Sequence, residues 1–271
     1  MKETDKNNFD SRPIGFFDSG VGGLTVLDKV KAILPNEKFI YYGDTKHMPY
    51  GEKTEQELLI YADEIFKFFE KQNAKAVVMA CNTTSAVTYE KLKNNYSFKI
   101  YPIIQTVAKV LANMDLNCIG IFATPATINS HCYSKQILSQ NSDIQVVEIA
   151  CKNWVKFVEN SKLDTDECKI AVKEKLDEMM NFNPDKIVLG CTHYPYLMDL
   201  LTEFLDYNKF IDPSIYFAKA IKEDLIKNST LTNDHTTKNC EFFVSSNPEG
   251  FRKAGSMFYN FTDEIIKCQT L

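Results

Sequence analysis

The chain has 271 residues, 44% of them hydrophobic and 25% charged, which suits a water-soluble protein with one large core or two medium ones. Acidic residues outnumber basic ones by 36 to 31, a net charge of −5, so no basic surplus exists to neutralise phosphates and nucleic acid is excluded as the main partner. A small anion can still bind locally through backbone N–H groups.

The first residues, Met1–Pro13, are polar and lack the apolar stretch of a signal peptide, and no run approaches the length that spans a bilayer. A cytoplasmic location is expected, with no membrane partner, and the eight cysteines are expected to be free thiols in a reducing compartment. Short apolar runs then alternate with amphipathic stretches of helical length, which predicts an α/β fold. The predicted strands are Ile14–Phe17, Lys38–Tyr42, Ala76–Ala80, Cys118–Phe122, Ile144–Ile149 and Lys186–Leu189. Helices are predicted over Leu24–Ile33, Glu55–Glu70, Thr84–Lys93 and Thr165–Met180. In Glu55–Glu70 the residues Leu58, Leu59, Ala62, Ile65, Phe66 and Phe69 share one face. Near-continuous apolar strands such as AVVMA and KIVLG suit a parallel sheet buried on both faces. Lys227–Lys238 is polar and reads as a surface loop.

AKAVVMACNTTSA and PDKIVLGCTHYPY follow one plan, a buried strand followed by a small residue, a cysteine, two polar residues and a helix. This echo predicts two pseudo-symmetric domains, each a mainly parallel sheet flanked by helices, with the active site in the cleft between them. Boundaries at the X-Pro steps Tyr101–Pro102 and Asp212–Pro213 give a discontinuous first domain, 1–101 plus 212–271, and a second over 102–211. Each half then presents one cysteine at the carboxyl end of a strand, where α/β sheets place ligands.

Four clusters carry chemistry. IGFFDSGVGGL delivers Asp18 and Ser19 into a turn of Gly20, Gly22 and Gly23; it fails the GxGxxG dinucleotide pattern and, read alone, is a strand–turn–helix corner. YYGDTKHMPYG is a loop carrying Asp44, His47, Tyr50 and Gly51, in which His47 reads as a solvated histidine without a role. ACNTTS places Cys81, Asn82, Thr83, Thr84 and Ser85 at a strand-to-helix junction, and GCTHYP places Cys191, Thr192 and His193 in what is expected to be an equivalent one. A helix N-terminus stabilises a thiolate, and the flanking hydroxyls and amides can hold a carboxylate and an ammonium. A single such cysteine reads as an inert core residue; two in matched settings point to function. No metal site is expected, because the C-x-H spacing of Cys191 and His193 is too short for a zinc-finger pair and CxxC is absent, which also argues against disulfide redox chemistry.

With these clusters in hand, the stretch from about Ile14 to about Asp212 resembles the glutamate racemases of the aspartate/glutamate racemase superfamily, most densely in DSGVGG, GDTKHMPYG, ACNTTSA and GCTHYP. The resemblance implies interconversion of L- and D-glutamate by two opposed bases, without pyridoxal phosphate or another cofactor, to supply D-glutamate for peptidoglycan. It implies that Cys81 serves the D-enantiomer with help from Asp18, and that Cys191 serves the L-enantiomer with help from His193. Asp18, Ser19, Tyr50, Gly51, Asn82, Thr83, Thr84, Thr192 and His193 match positions around the amino acid, and Glu159 matches a further acidic position. A homodimer is expected of an enzyme built from two halves. The chain departs from the family where Cys151-Lys152-Asn153-Trp154 replaces a frequent Cys-Pro and aromatic, and where Ala126 replaces a frequent Gly. Two alternatives stand beside this reading, a binding or regulatory protein on a racemase scaffold and a related isomerase such as an aspartate racemase.

Overall fold

The computed structural model describes residues 9–232, 240–257 and 259–268. In chain order its regular elements begin with β1 (Ile14–Asp18), α1 (Leu24–Ile33), β2 (Phe39–Gly43), α2 (Glu55–Lys71), β3 (Ala76–Met79), α3 (Asn82–Leu92), β4 (Lys99–Pro102) and α4 (Ile103–Leu111). There follow β5 (Cys118–Ala123), α5 (Pro125–Ser130), α6 (Cys132–Leu138), β6 (Gln145–Ala150), α7 (Trp154–Glu159), α8 (Asp166–Met180) and β7 (Lys186–Leu189). The last are α9 (Met198–Thr202), β8 (Phe210–Ile211), α10 (Pro213–Lys227), β9 (Cys240–Val244), α11 (Pro248–Gly255) and β10 (Ile265–Lys267).

The strands form two sheets, ordered β10-β9-β2-β1-β3-β4 and β6-β5-β7-β8, and every neighbouring pair is parallel. The α/β expectation holds. β1, β2 and β3 are buried at every position because helices cover both faces, which is why their sequences are continuously apolar rather than alternating. On one face of the first sheet Phe17, Tyr42, Val77 and Met79 pack on Leu58, Ala62, Phe66 and Phe69 of α2. That helix starts on a reciprocal cap, Thr54 accepting from the Glu57 backbone while the Glu57 carboxylate accepts from Thr54. On the other face one buried cluster runs from Ile14 and Phe16 through α1, α4 and α10 to Phe122, Ile187 and Leu189 of the second sheet, so the two sheets share a continuous apolar core.

Both X-Pro steps stand at the start of a helix. Pro102 caps α4 and Pro213 opens α10, where a missing N–H costs nothing because the first turn has no acceptor for it. The chain passes from the first sheet to the second through α4 and returns through α10. Of the segment read as a surface loop, Lys227 instead closes α10, and residues 233–238 lie outside the described residues.

One expectation is corrected here. Cys81 does cap an eleven-residue helix, α3, but Cys191 is followed by a turn and a four-residue 3-10 segment, Tyr194–Leu197, before the short α9. Pro195 lacks the N–H that an α-helical turn needs, and Tyr194 is drawn aside to donate its hydroxyl to the Cys151 carbonyl, 3.1 Å away. Cys191 therefore has no α-helix N-terminus at its sulfur.

Candidate active site

In both sheets the strand order reverses at a central strand, β1 in the first and β5 in the second, and the residues beyond the carboxyl ends of the strands converge there. Ser19 follows β1, Cys81 follows β3, Thr124 follows β5, Lys152 follows β6 and Cys191 follows β7, and all of them line one cleft between the sheets. Tyr50, Gly51, Glu52, Asn82, Thr83, Thr192 and His193 complete its walls.

The Cys81 wall is acidic. Asp18 is fully buried, accepts from the Gly20 N–H at 3.0 Å and from the Thr192 hydroxyl at 3.1 Å, and does not itself reach the cleft surface. Burial pushes its carboxyl up, against the opposing pull of His193 and of these hydrogen bonds. Burial and the Asp18 charge together push the Cys81 thiol up to about 12, with partial relief from the hydroxyl and backbone N–H of Thr84. Thr84 is fully buried in the first turn of α3 and is also off the cleft surface.

The Cys191 wall is built around an imidazole. His193 Nδ1 lies 3.8 Å from the Cys191 sulfur, and its Nε2 lies 2.5 Å from a Glu159 carboxylate oxygen. Burial alone would lower the imidazole, but the hydrogen bonds to Cys191 and Glu159, and their charges, hold it well above its usual range. Glu159 is fixed in turn by the Val21 N–H at 3.3 Å. The glycine turn explains how these groups come so close. A Cβ on Gly22 would sit 2.4 Å from the Thr192 hydroxyl and 2.5 Å from His193 Nδ1, and one on Gly20 would sit 2.4 Å from the Glu159 carboxylate. No glycine there has a positive φ, so the turn needs glycine for close approach of protein to protein rather than for its backbone freedom.

The remaining candidates are placed as follows. Asn82 accepts from the Tyr133 hydroxyl at 2.8 Å. Tyr50 lines the cleft but donates its hydroxyl to Asp44 at 2.5 Å, so that hydroxyl is already engaged. His47 is not the solvated loop residue expected: it bonds Asp44 at 2.8 Å and stacks on Tyr61 with ring centroids 4.0 Å apart. Asp44, which also accepts from Ser245 at 2.6 Å, thus anchors the whole GDTKHMPYG loop. Sequence reading missed Thr124 and Thr127, whose hydroxyls close a ring with Thr83 at 2.9, 3.0 and 3.3 Å, and it missed Lys152 as a wall of the cleft. Thr124 and Lys152 lie beyond the ends of β5 and β6 as the two cysteines lie beyond β3 and β7, but only the folded cleft sets them apart from other loop residues. Among the described residues no group of three or more His, Cys, Asp or Glu is gathered to hold a metal, and no helix is long and apolar enough to cross a membrane.

Two mainly parallel sheets flanked by helices, with one cleft beyond their strand ends, are an α/β architecture shared with solved glutamate racemase structures. Residues 22–218 match the family described as Asp/Glu/Hydantoin racemase, and the chain belongs to that family. It is 39% identical to the glutamate racemase of Thermoanaerobacter pseudethanolicus over 92% of this chain and 93% of that one. Among solved structures it is similar to the glutamate racemase of Francisella tularensis in complex with D-glutamate, at 34% identity and a TM-score of 0.90 over 96% and 98% of the two chains. It is likewise similar to a glutamate racemase of Bacillus anthracis, at 28% identity and a TM-score of 0.88 over 95% and 97%.

Proposed function

We propose that this protein interconverts L- and D-glutamate by a two-base mechanism in which Cys81 and Cys191 act from opposite faces of the α-carbon, without a bound cofactor. The observation that carries the mechanism is that both thiols line one cleft while each is backed by its own titratable partner, Asp18 behind Cys81 and His193–Glu159 behind Cys191. Racemisation needs a base and an acid that exchange roles when the reaction reverses, and a pair of thiols has that symmetry.

In the forward step one sulfur, as thiolate, takes the α-proton and becomes a thiol. The electron pair left on carbon spreads into the α-carboxylate, and the opposing thiol delivers its proton to the other face, becoming the new thiolate. Burial and Asp18 hold the Cys81 thiol high, which suits it to give its proton when L-glutamate reacts. By the family assignment Cys191 removes the α-proton of L-glutamate, with His193 Nδ1 3.8 Å from its sulfur, and the roles reverse for D-glutamate. Asp18, buried behind the cleft wall, acts on the site through Thr192, whose hydroxyl it accepts, and through its charge on Cys81. On this reading Asn82, Thr83 and the first N–H groups of α3 receive the α-carboxylate, and Ser19, Gly51 and Thr192, which also line the cleft, border the rest of the amino acid.

With this reading go a division into domains 1–101 plus 212–271 and 102–211, a cytoplasmic homodimer, and a role in supplying D-glutamate for peptidoglycan. The test is direct. Purified protein given either enantiomer of glutamate, with no added cofactor, should bring the optical rotation to zero and exchange the α-proton in heavy water. Turnover of aspartate but not glutamate would replace the substrate, and inertness towards both would overturn the racemase reading.

A further inference from the structure

Tyr133 takes no part in the chemistry above, yet its side chain touches the chain neighbours of both thiols. It sits in the first turn of α6, which His131, left-handed at φ 53°, separates from α5. The side chain is fully buried. One edge of the ring lies against Gly190, the residue before Cys191, where a Cβ would come within 3.1 Å of Tyr133 Cε2. The hydroxyl reaches across to the start of α3 and donates to Asn82 Oδ1 at 2.8 Å, directly after Cys81.

That hydrogen bond settles which way the Asn82 amide points. With Oδ1 taken, the two N–H donors of Nδ2 are left, and among the described residues no acceptor meets them. Asn82 lines the cleft, so the free end of its amide is the donor end. A reversed amide would leave the phenol proton buried without an acceptor among the described residues, which is costly. Burial, and after it the charges of Cys132, Cys191 and Asp212, hold the phenol well above its usual range, so that proton stays in place. We infer that Tyr133 is a positioning residue for the racemisation, holding the Asn82 amide with both N–H donors towards the α-carboxylate of the bound amino acid. The inference rests on the reading in which Asn82 receives that carboxylate, and adds what keeps the amide in its donor orientation. An amide free to rotate would offer its oxygen to the carboxylate as readily as its nitrogen, and an oxygen there has no proton to give.

Tyr133→Phe removes the hydroxyl and keeps the ring against Gly190. It should raise KM for both enantiomers about tenfold while kcat stays within about twofold, the pattern of lost uniform binding. In an Asn82→Ala background the same change should have no further effect on kcat/KM, because the hydroxyl acts through that amide. Losses that multiply in the double variant, or an unchanged KM in Tyr133→Phe, overturn the inference and leave the racemase reading standing. A second measurement uses native protein isotope-labelled at asparagine nitrogen. The Asn82 side-chain N–H2 resonance should shift when D-glutamate is added, and a resonance that stays put overturns the inference. Native protein inert towards both enantiomers of glutamate overturns the inference and the racemase reading together.

Discussion

Cys81 and Cys191 leave parallel strands at matching points and arrive in different surroundings. Cys81 caps a full α-helix and faces a buried carboxylate, so its field mixes a favourable dipole with an unfavourable charge, and desolvation decides the outcome. Cys191 has only a 3-10 turn beyond it and relies on an imidazole held by Glu159. Pseudo-symmetric strands thus carry chemically unlike halves. For a racemase this asymmetry has a firm bound. Enantiomers have equal free energy in solution, so kcat/KM must be the same in both directions, and unlike walls can show only in kcat and KM taken separately.

The largest effect should come from removing either thiol. Cys81→Ala and Cys191→Ala should each lower racemisation on the order of a thousandfold or more in both directions. In heavy water each variant should still exchange the α-proton of one enantiomer, a different one for each, because the remaining thiol can remove and return a proton on its own face. Exchange of both enantiomers by a single-thiol variant would break the assignment of one thiol to one face.

Next in size is Glu159→Gln, which takes the anionic partner from His193 while preserving shape. A loss of about ten- to a hundredfold in kcat/KM is expected, equal for the two enantiomers, with kcat changing more in the direction that starts at Cys191. Equal changes in both kcat values would mean that the His193–Glu159 pair serves both walls alike.

The smallest effect is on stability. Because His193 is raised in the folded state, its pairing with Glu159 stabilises the fold below the unfolded imidazole value of about 6.5, and that contribution is lost as pH rises through the folded value. The native protein should therefore exceed Glu159→Gln by roughly 1–3 kcal/mol near pH 6, and by less at alkaline pH, in denaturant titrations. A gap that widens with pH would reverse the assignment.

Much of this was legible in the residues. The helix Leu24–Ile33 and the strand Lys186–Leu189 fall where periodicity and apolar runs placed them, because helix period and doubly buried strands leave strong local signals. The edge strands β4, β8 and β10 and their neighbour β9 were not predicted: β8 and β10 have only two and three residues, and exposed Lys99 and Glu241 interrupt the apolar runs of β4 and β9. The cysteines were found through their position after strands, while Asp18 and His193 received their roles from the family resemblance. Thr124 and Lys152 were missed because a threonine and a lysine in a loop are ordinary until the cleft gathers them.

By itself the sequence determined the α/β class, the strand-end placement of both thiols and the polar residues around them, since each depends on short-range pattern. Only the tertiary structure decided that Cys191 lacks a helix N-terminus, that the glycine turn exists to let Glu159 and His193 approach, and that Tyr50 gives its hydroxyl to Asp44. The first rests on Tyr194 reaching Cys151, 43 residues away, as well as on the local Pro195; the second on Glu159 meeting Val21 across 138 residues; the third on Asp44 taking the hydroxyl of a cleft residue. The packing that brings such partners together is not written in any short stretch of sequence.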